Sequence, residues 1–473
     1  MKTLASVLRT AITRPLTAMW CRAFAATALG LLLAACSTIN HPTLRVERAV
    51  TLADSLAVAS NASFDAYARR PDAKVKDPAA FEEMRNHLRT LYAGVTVSHS
   101  FLGRDNQFVD CIPMEQQPGL RNPRLGPLTL QRDPPKPSMD RSPDGSAEQG
   151  GSKAPSIAKR EFADATLKPG VRDQFNAEMF CPAATIPMRR VTLDEMVRFA
   201  TLRAFLSKSP FGGKSDLDRR PDRLGQQNPA DTDHYYARGV HFVDNFGGDS
   251  WLNVWSPVVE KGHMSLSQIW VVGDASPKQT VEAGWQVYPD KWSSDKAALF
   301  IFYTTDNYDD GCYNLDCSGF VQLANNVYLG SGFDHYSTRD GEQRGFNLQY
   351  KRGPDGTWWL FYKGPGDYIV VGYYPHSLFG DGFLASKSNK IAWGGEDTGS
   401  PSACEMGSGS LPTGGFGRAA YQDTIFYIDT GTVSQWADLT TQEIPSDCYK
   451  ADISNFSSTR GRTHLYFGGP KCK

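Results

Sequence analysis

Val281-Glu282-Ala283-Gly284-Trp285-Gln286-Val287 is the stretch that decides how this 473-residue chain is read. Successive side chains of a strand point to opposite faces. Val281, Ala283, Trp285 and Val287 therefore share one face, and Glu282, Gly284 and Gln286 share the other. The first face is fit for a core. The second presents a carboxylate and an amide with a residue lacking a side chain between them, and Gly284 is expected to leave space for another backbone, such as a peptide's, to lie close. Ile391-Ala392-Trp393-Gly394-Gly395-Glu396 is built alike: an apolar strand, two glycines, then an acid. Taken alone, each glutamate is more often a solvated strand residue than a catalytic group.

Outward from these two segments the same texture continues. Leu252–Trp255, Leu266–Val272, Ala298–Tyr303, Tyr368–Tyr374 and Tyr427-Ile428 are strand-like runs. Phe346–Tyr350 and Trp358–Tyr362 flank Pro354-Asp355-Gly356, a hairpin signal. Many short strands without intervening helices predict an antiparallel β-sandwich or barrel over residues 234–473. The chain before it reads differently. Asp77-Pro78 is an N-cap followed by proline at the first helical position, with Phe81, Met84, Leu88 and Leu91 on one face behind it. Val95 to Cys111 suits short strands, and Thr192 with Glu195 forms a capping box ahead of a helix running to about Leu206. Residues 118–160 are rich in Pro, Gly, Ser and charge and are expected to form a mobile insertion. Residues 207–233 carry Pro210, Gly212, Gly213, Pro221 and Pro229 and read as a linker. The fold class is mainly β: an antiparallel β-sandwich preceded by a smaller α+β unit over residues 36–206.

Composition narrows the function classes. Formal net charge is −1, with 50 Lys and Arg against 51 Asp and Glu, so no global field favours nucleic acid. The first 35 residues combine a basic leader (Lys2, Arg9, Arg14, Arg22) with the apolar run Ala23–Leu33, which reads as an export signal rather than a lasting membrane span. It ends in Leu33-Ala34-Ala35-Cys36, resembling a bacterial lipobox in which the cysteine becomes acylated. Lipidation at Cys36 would anchor the exported chain to a membrane. Export makes disulfides the default for the remaining cysteines. Cys312–Cys317 closes a tight loop, Cys448–Cys472 ties down the terminal segment, Cys111–Cys181 spans the insertion, and Cys404 is the odd thiol.

Familiar catalytic signatures are missing. There is no His-Glu-x-x-His, and the scattered histidines give no metal-ligand spacing, so no metal or other cofactor is expected. Gly407-Ser408-Gly409-Ser410 is not a nucleophile elbow. Gly213-Lys214-Ser215 mimics the end of a phosphate-binding loop, but Lys208 stands where its first glycine is required. What remains is carboxylates on strands.

Several tracts in order along residues 234–473 resemble the neprosin family. They are Asn253-Val254-Trp255, Ser265–Val271, Glu282–Val287, Gly311–Gln322, Trp358-Trp359-Leu360, Val371–Pro375, Trp393-Gly394-Gly395-Glu396, Met406–Gly409 and Phe467–Pro470. Asp110-Cys111-Ile112 and Cys181 to Arg190 resemble that family's amino-terminal pro-domain. The resemblance implies a β-sandwich endopeptidase of the glutamic class that cleaves after proline, with Glu282 and Glu396 as its catalytic pair. The long insertion after Cys111, Ala392 where an acid is common, and Cys404 depart from the family pattern. The physics of such a pair is coherent: two close carboxylates share one proton, the ionised one activates water, and the protonated one donates to the carbonyl oxygen or leaving nitrogen. Gln286 is assigned as a donor to the developing oxyanion and Trp393 as a substrate contact, an ordinary polar strand residue being the alternative for Gln286. The expected partner is a proline-rich peptide or protein. Acid-favoured activity and release of the sandwich by cleavage in the linker, at Pro210, Pro221 or Pro229, complete the expectation. A glycoside hydrolase with paired glutamates and a non-catalytic surface binding module are the competing readings.

Overall fold

The computed structural model describes residues 50–122, 125, 128–138, 160–208, 234–443, 448–459 and 461–472. The leader, Cys36 and all but the first two residues of the 207–233 linker lie outside the described residues, as does Gly213-Lys214-Ser215. From Val46 to Lys473 the chain forms one compact unit, so the upstream α+β region and the sandwich pack on each other. Among the described residues no helix is long and apolar enough to cross a membrane.

In the upstream region the helix Pro78–Leu91 starts where Asp77 accepts hydrogen bonds from the amides of Ala79 and Ala80. Phe81, Met84, Leu88 and Leu91 are buried along one face. A three-stranded antiparallel sheet orders His99–Leu102, Phe108–Pro113 and Thr185–Arg189. The capping box of Thr192 and Glu195 forms, but the helix expected to reach Leu206 is broken in two, Leu193–Met196 and Leu202–Leu206. Thr201 caps the second piece by accepting from Ala204 N. The break lets Phe199 and Phe205 meet edge-to-face at 5.5 Å, with Phe199 also against Tyr288 at 5.9 Å.

The sandwich consists of a seven-stranded and a ten-stranded sheet. The first runs Asp310–Tyr313, Ala298–Asp306, Gln279–Val287, Met264–Gly273, Lys390–Thr398, His234–His241 and Thr440–Glu443, antiparallel throughout. The second has the spine Val321–Gln322, Ile369–Tyr374, Trp358–Lys363, Gln343–Arg352, Asn245–Asn253, Ala420–Asp429, His464–Gly468 and Lys450–Ser454. Between them lies a core that includes Val281, Ala283, Trp285, Ile391, Trp393, Leu348, Tyr350 and Trp358. The Val, Ile and Leu side chains among them each contribute roughly 1.5–3 kcal/mol.

The upstream region also extends onto the sandwich. Arg160–Phe162 adds in parallel to Gln343–Gly345. Part of the insertion expected to be mobile is fixed: residues 128–138 lie on the outer face of the ten-stranded sheet, held by hydrogen bonds from Gln131 N to Tyr373 Oη (2.8 Å) and from Ser138 N to Gln349 Oε1 (2.6 Å). Composition predicted too little apolar surface for order, but a prebuilt sheet supplies the surface that the segment lacks. At the contact between the two regions, Arg189 pairs with Glu195 and Asp316, Lys291 Nζ lies 2.7 Å from Asp316 Oδ2, and His87 Nε2 lies 2.8 Å from the Asp316 carbonyl. Disulfides join Cys111–Cys181, Cys312–Cys317 and Cys448–Cys472; Cys404 is unbridged and buried.

Candidate active site

Glu282 and Glu396 are 114 positions apart and sit on strands that are not neighbours. The strand Met264–Gly273 lies between them and pairs with both. Its Trp270 is opposite Glu282 and its Leu266 opposite Glu396. Trp270 and Leu266 differ by four positions, so they share a face, and so do the two glutamates. That face is the outer one of the seven-stranded sheet. The opposite face, with Ile269, Ala283, Trp285 and Trp393, belongs to the core.

The two carboxylates converge on a single nitrogen. Lys208 Nζ donates to Glu282 Oε2 at 2.5 Å and to Glu396 Oε2 at 2.6 Å. All three side chains are buried, Lys208 at 4% exposure and the glutamates at 0 and 1%. Lys208 lies one residue past Ser207, the C-cap of the helix Leu202–Leu206, whose buried Phe205 anchors it to the sandwich. The ring of Trp270 lies 5.2 Å from the ammonium.

Glu282 is held by further donors: Gln268 Nε2 to Oε2 at 2.7 Å, Thr280 Oγ1 to Oε1 at 2.8 Å and Tyr308 Oη to Oε1 at 2.7 Å. Glu396 Oε1 is 2.6 Å from His234 Nδ1. Burial alone would raise the Glu396 pKa, but the Lys208 charge and the His234 contact outweigh it and bring it down to about 2. Burial would likewise depress Lys208, yet the two glutamates hold its pKa above the ordinary lysine value. With Lys208 docked, Glu396 is thus a carboxylate without a proton to give. Asp397, next along the strand, points the other way, and burial pushes it up to about 8.

Two sequence assignments do not join this constellation. Gln286 shares the face of Glu282, but its Nε2 donates to Tyr313 Oη (3.0 Å) and its Oε1 accepts from Trp292 Nε1 (3.2 Å). The amide that reaches Glu282 is that of Gln268. Trp393 is fully buried on the core side, where alternation sends it away from Glu396. Gly284 does admit a close backbone, but it is the chain's own: a Cβ there would meet Ser267 O at 2.0 Å and Gln268 Cα at 2.6 Å. Gln268, Thr280, Tyr308, His234 and Lys208 went unassigned in the sequence. Gln268 had a visible signal, since it lies in the strand-like run Leu266–Val272 at the parity of Trp270. Lys208 had none, in a breaker-rich stretch.

The outer face of the seven-stranded sheet thus brings two buried glutamates to one point. Residues 261–470 match the family model described as Neprosin. Among solved structures the chain is similar to scytalido-glutamic peptidase bound to a peptide-based transition-state analogue, at 11% identity and a TM-score of 0.27, covering 51% of this chain and 98% of the other. It is similar to the same extent, 11% identity and TM-score 0.27 over 51% and 98%, to SCP-B of the eqolisin family of peptidases in complex with the tripeptide Ala-Ile-His.

Proposed function

We propose that the chain is the latent precursor of an endopeptidase that cleaves after proline, using Glu282 and Glu396 as its acid–base pair and water as its nucleophile. The observation that carries this is the convergence of both carboxylates on one ammonium in the Neprosin-matching domain. When Lys208 withdraws, two adjacent carboxylates lose their shared cation, and the pair takes up one proton from solvent to hold between them. The ionised member then takes a proton from water as it attacks the scissile carbonyl, and the protonated member donates to the carbonyl oxygen and then the leaving nitrogen. Gln268, already 2.7 Å from Glu282, is placed to donate to the developing oxyanion.

Residues 36–206 act as a pro-region in this reading, with Lys208, at the start of the linker that follows it, as the plug. Export and a lipid anchor on Cys36 place the precursor at a membrane, and cleavage between residues 209 and 233 frees the sandwich. The test is hydrolysis of proline-containing peptides by acid-treated protein, with Glu282→Gln and Glu396→Gln expected to abolish cleavage while leaving the unfolding transition of the precursor measurable. Undiminished turnover in either variant rejects the pair. Hydrolysis of a polysaccharide panel, or peptide binding without turnover, would reassign the site to sugar chemistry or to recognition.

A further inference from the structure

The ten-stranded sheet has a second worked face, turned away from the glutamates. Alternation along Gln343–Arg352 sends Phe346, Leu348 and Tyr350 into the core and Asn347, Gln349 and Lys351 outward. The neighbouring strands add Trp359, Phe361 and Tyr373, which with Val321 make an apolar cluster separate from the main core. Over this face runs the chain's own Leu128-Thr-Leu-Gln-Arg-Asp-Pro-Pro-Lys-Pro-Ser138.

The way this segment is held shows what the face can read. The side-chain amide of Gln349 grips a single residue from both sides: Oε1 accepts from Ser138 N at 2.6 Å and Nε2 donates to Ser138 O at 2.8 Å. Gln349 is fully buried and oriented from behind, its Nε2 also donating to Asp249 Oδ2 (3.1 Å), an oxygen that accepts from Tyr368 Oη (2.7 Å) as well. Lys351 Nζ donates to the Lys136 carbonyl and to Ser138 Oγ, both at 2.9 Å. Tyr373 Oη accepts from Gln131 N, and Leu130 packs on the aromatic cluster. The backbone N–H groups taken by these side chains belong to Gln131 and Ser138, which flank Pro134, Pro135 and Pro137. Within the proline run the face reads a carbonyl, that of Lys136. Ordinary strand addition demands an N–H from alternate residues, which proline lacks; this face makes no such demand.

We propose that, once the pro-region has left, this face binds extended proline-rich polypeptide as an exosite for long substrates. The vacating step rests on the reading given above; the recognition does not. Paired sheets lie about 10 Å apart, so the exosite would hold a stretch of substrate remote from the bond being cut, and a short peptide could not reach both.

The test uses the full chain with Glu282→Gln, so that nothing is cut, and with residues 128–138 replaced by an equal length of Gly and Ser to bare the face. A labelled synthetic peptide of sequence 128–138 is titrated in by fluorescence anisotropy. Saturable one-to-one binding is expected, weakened at least about tenfold by Gln349→Leu and by Lys351→Met, the latter at a half-buried position where folding is not at stake. Replacing the three prolines of the peptide by alanine should also weaken it. No binding, binding indifferent to both variants, or equal binding of the alanine peptide each overturns the proposal. Failure of the peptidase reading leaves this titration unaffected. In the active protein, Lys351→Met should raise KM for a long proline-rich protein at unchanged kcat and leave short-peptide hydrolysis as it was; an unchanged KM argues against a role in substrate capture.

Discussion

Lys208→Met tests whether the ammonium at the glutamate pair is a plug. Methionine keeps the length and apolar stem of the side chain but removes both contacts at 2.5 and 2.6 Å. Removing one partner of a buried ion pair costs about 3–5 kcal/mol, because the remaining charge is left uncompensated. Here two carboxylates are left, although one can recover part of the loss by taking a proton. Even the lower figure shifts the docked–undocked equilibrium at least about a hundredfold toward the open state. The unprocessed Lys208→Met chain should therefore cleave a quenched proline-containing peptide near neutral pH, where the wild-type precursor is expected to be silent. The sign of the pH effect follows from Glu396, whose pKa Lys208 and His234 together bring from an ordinary value of 4.5 to about 2 against the opposing effect of burial. A depressed acid contributes stability that is fully present above its ordinary pKa and is lost as pH falls toward the depressed one. Docking of Lys208 therefore weakens between about pH 4.5 and 2, and wild-type activation should accelerate over that window. In Lys208→Met the acceleration should be diminished, with the part due to His234 remaining. If the variant precursor is as silent as wild type while its processed form is active, Lys208 is not the plug.

Gly284→Ala should prevent folding of the sandwich, since its methyl would sit 2.0 Å from the Ser267 carbonyl oxygen in the middle of the sheet; soluble protein with a normal thermal transition would show that the strands can part there without loss. The Cys111–Cys181 bridge closes the longest of the three loops, a separation of 70 residues. In the chain-entropy view, replacing both cysteines by alanine lowers stability by about 4 kcal/mol, read as a drop in denaturant midpoint, and a change below about 1 kcal/mol would place the stabilisation elsewhere.

The strands were legible because alternation is a local property. Val281–Val287, Leu266–Val272 and the hairpin around Pro354-Asp355-Gly356 lie within strands of the structure, or pair as a hairpin there, as the pattern implies. The helix through Leu206 was not legible in full, because the capping signal at Thr192 marks a start and carries no information about the second cap at Thr201. The convergence of residues 282 and 396 depends on sheet order. Their shared neighbour, Met264–Gly273, pairs with Gln279–Val287 as a local hairpin, but its pairing with Lys390–Thr398 is long-range, and composition and period do not encode it. Lys208 was less legible still: its partners are 74 and 188 positions away.

The misplacement of the amide is the instructive case. Gln286 and Gln268 both sit on the glutamate face by parity, so alternation could not choose between them. Register chooses: Gln268 is opposite Gly284, two residues from Glu282, whereas Gln286 lies a further two residues on and is taken up by Tyr313 and Trp292. The glycine is what lets this happen. A Cβ at 284 would come within 2.6 Å of Gln268 Cβ, so the empty position opposite admits the side chain that turns to reach Glu282. The feature read from sequence as room for a substrate is room for the residue that reaches the acid.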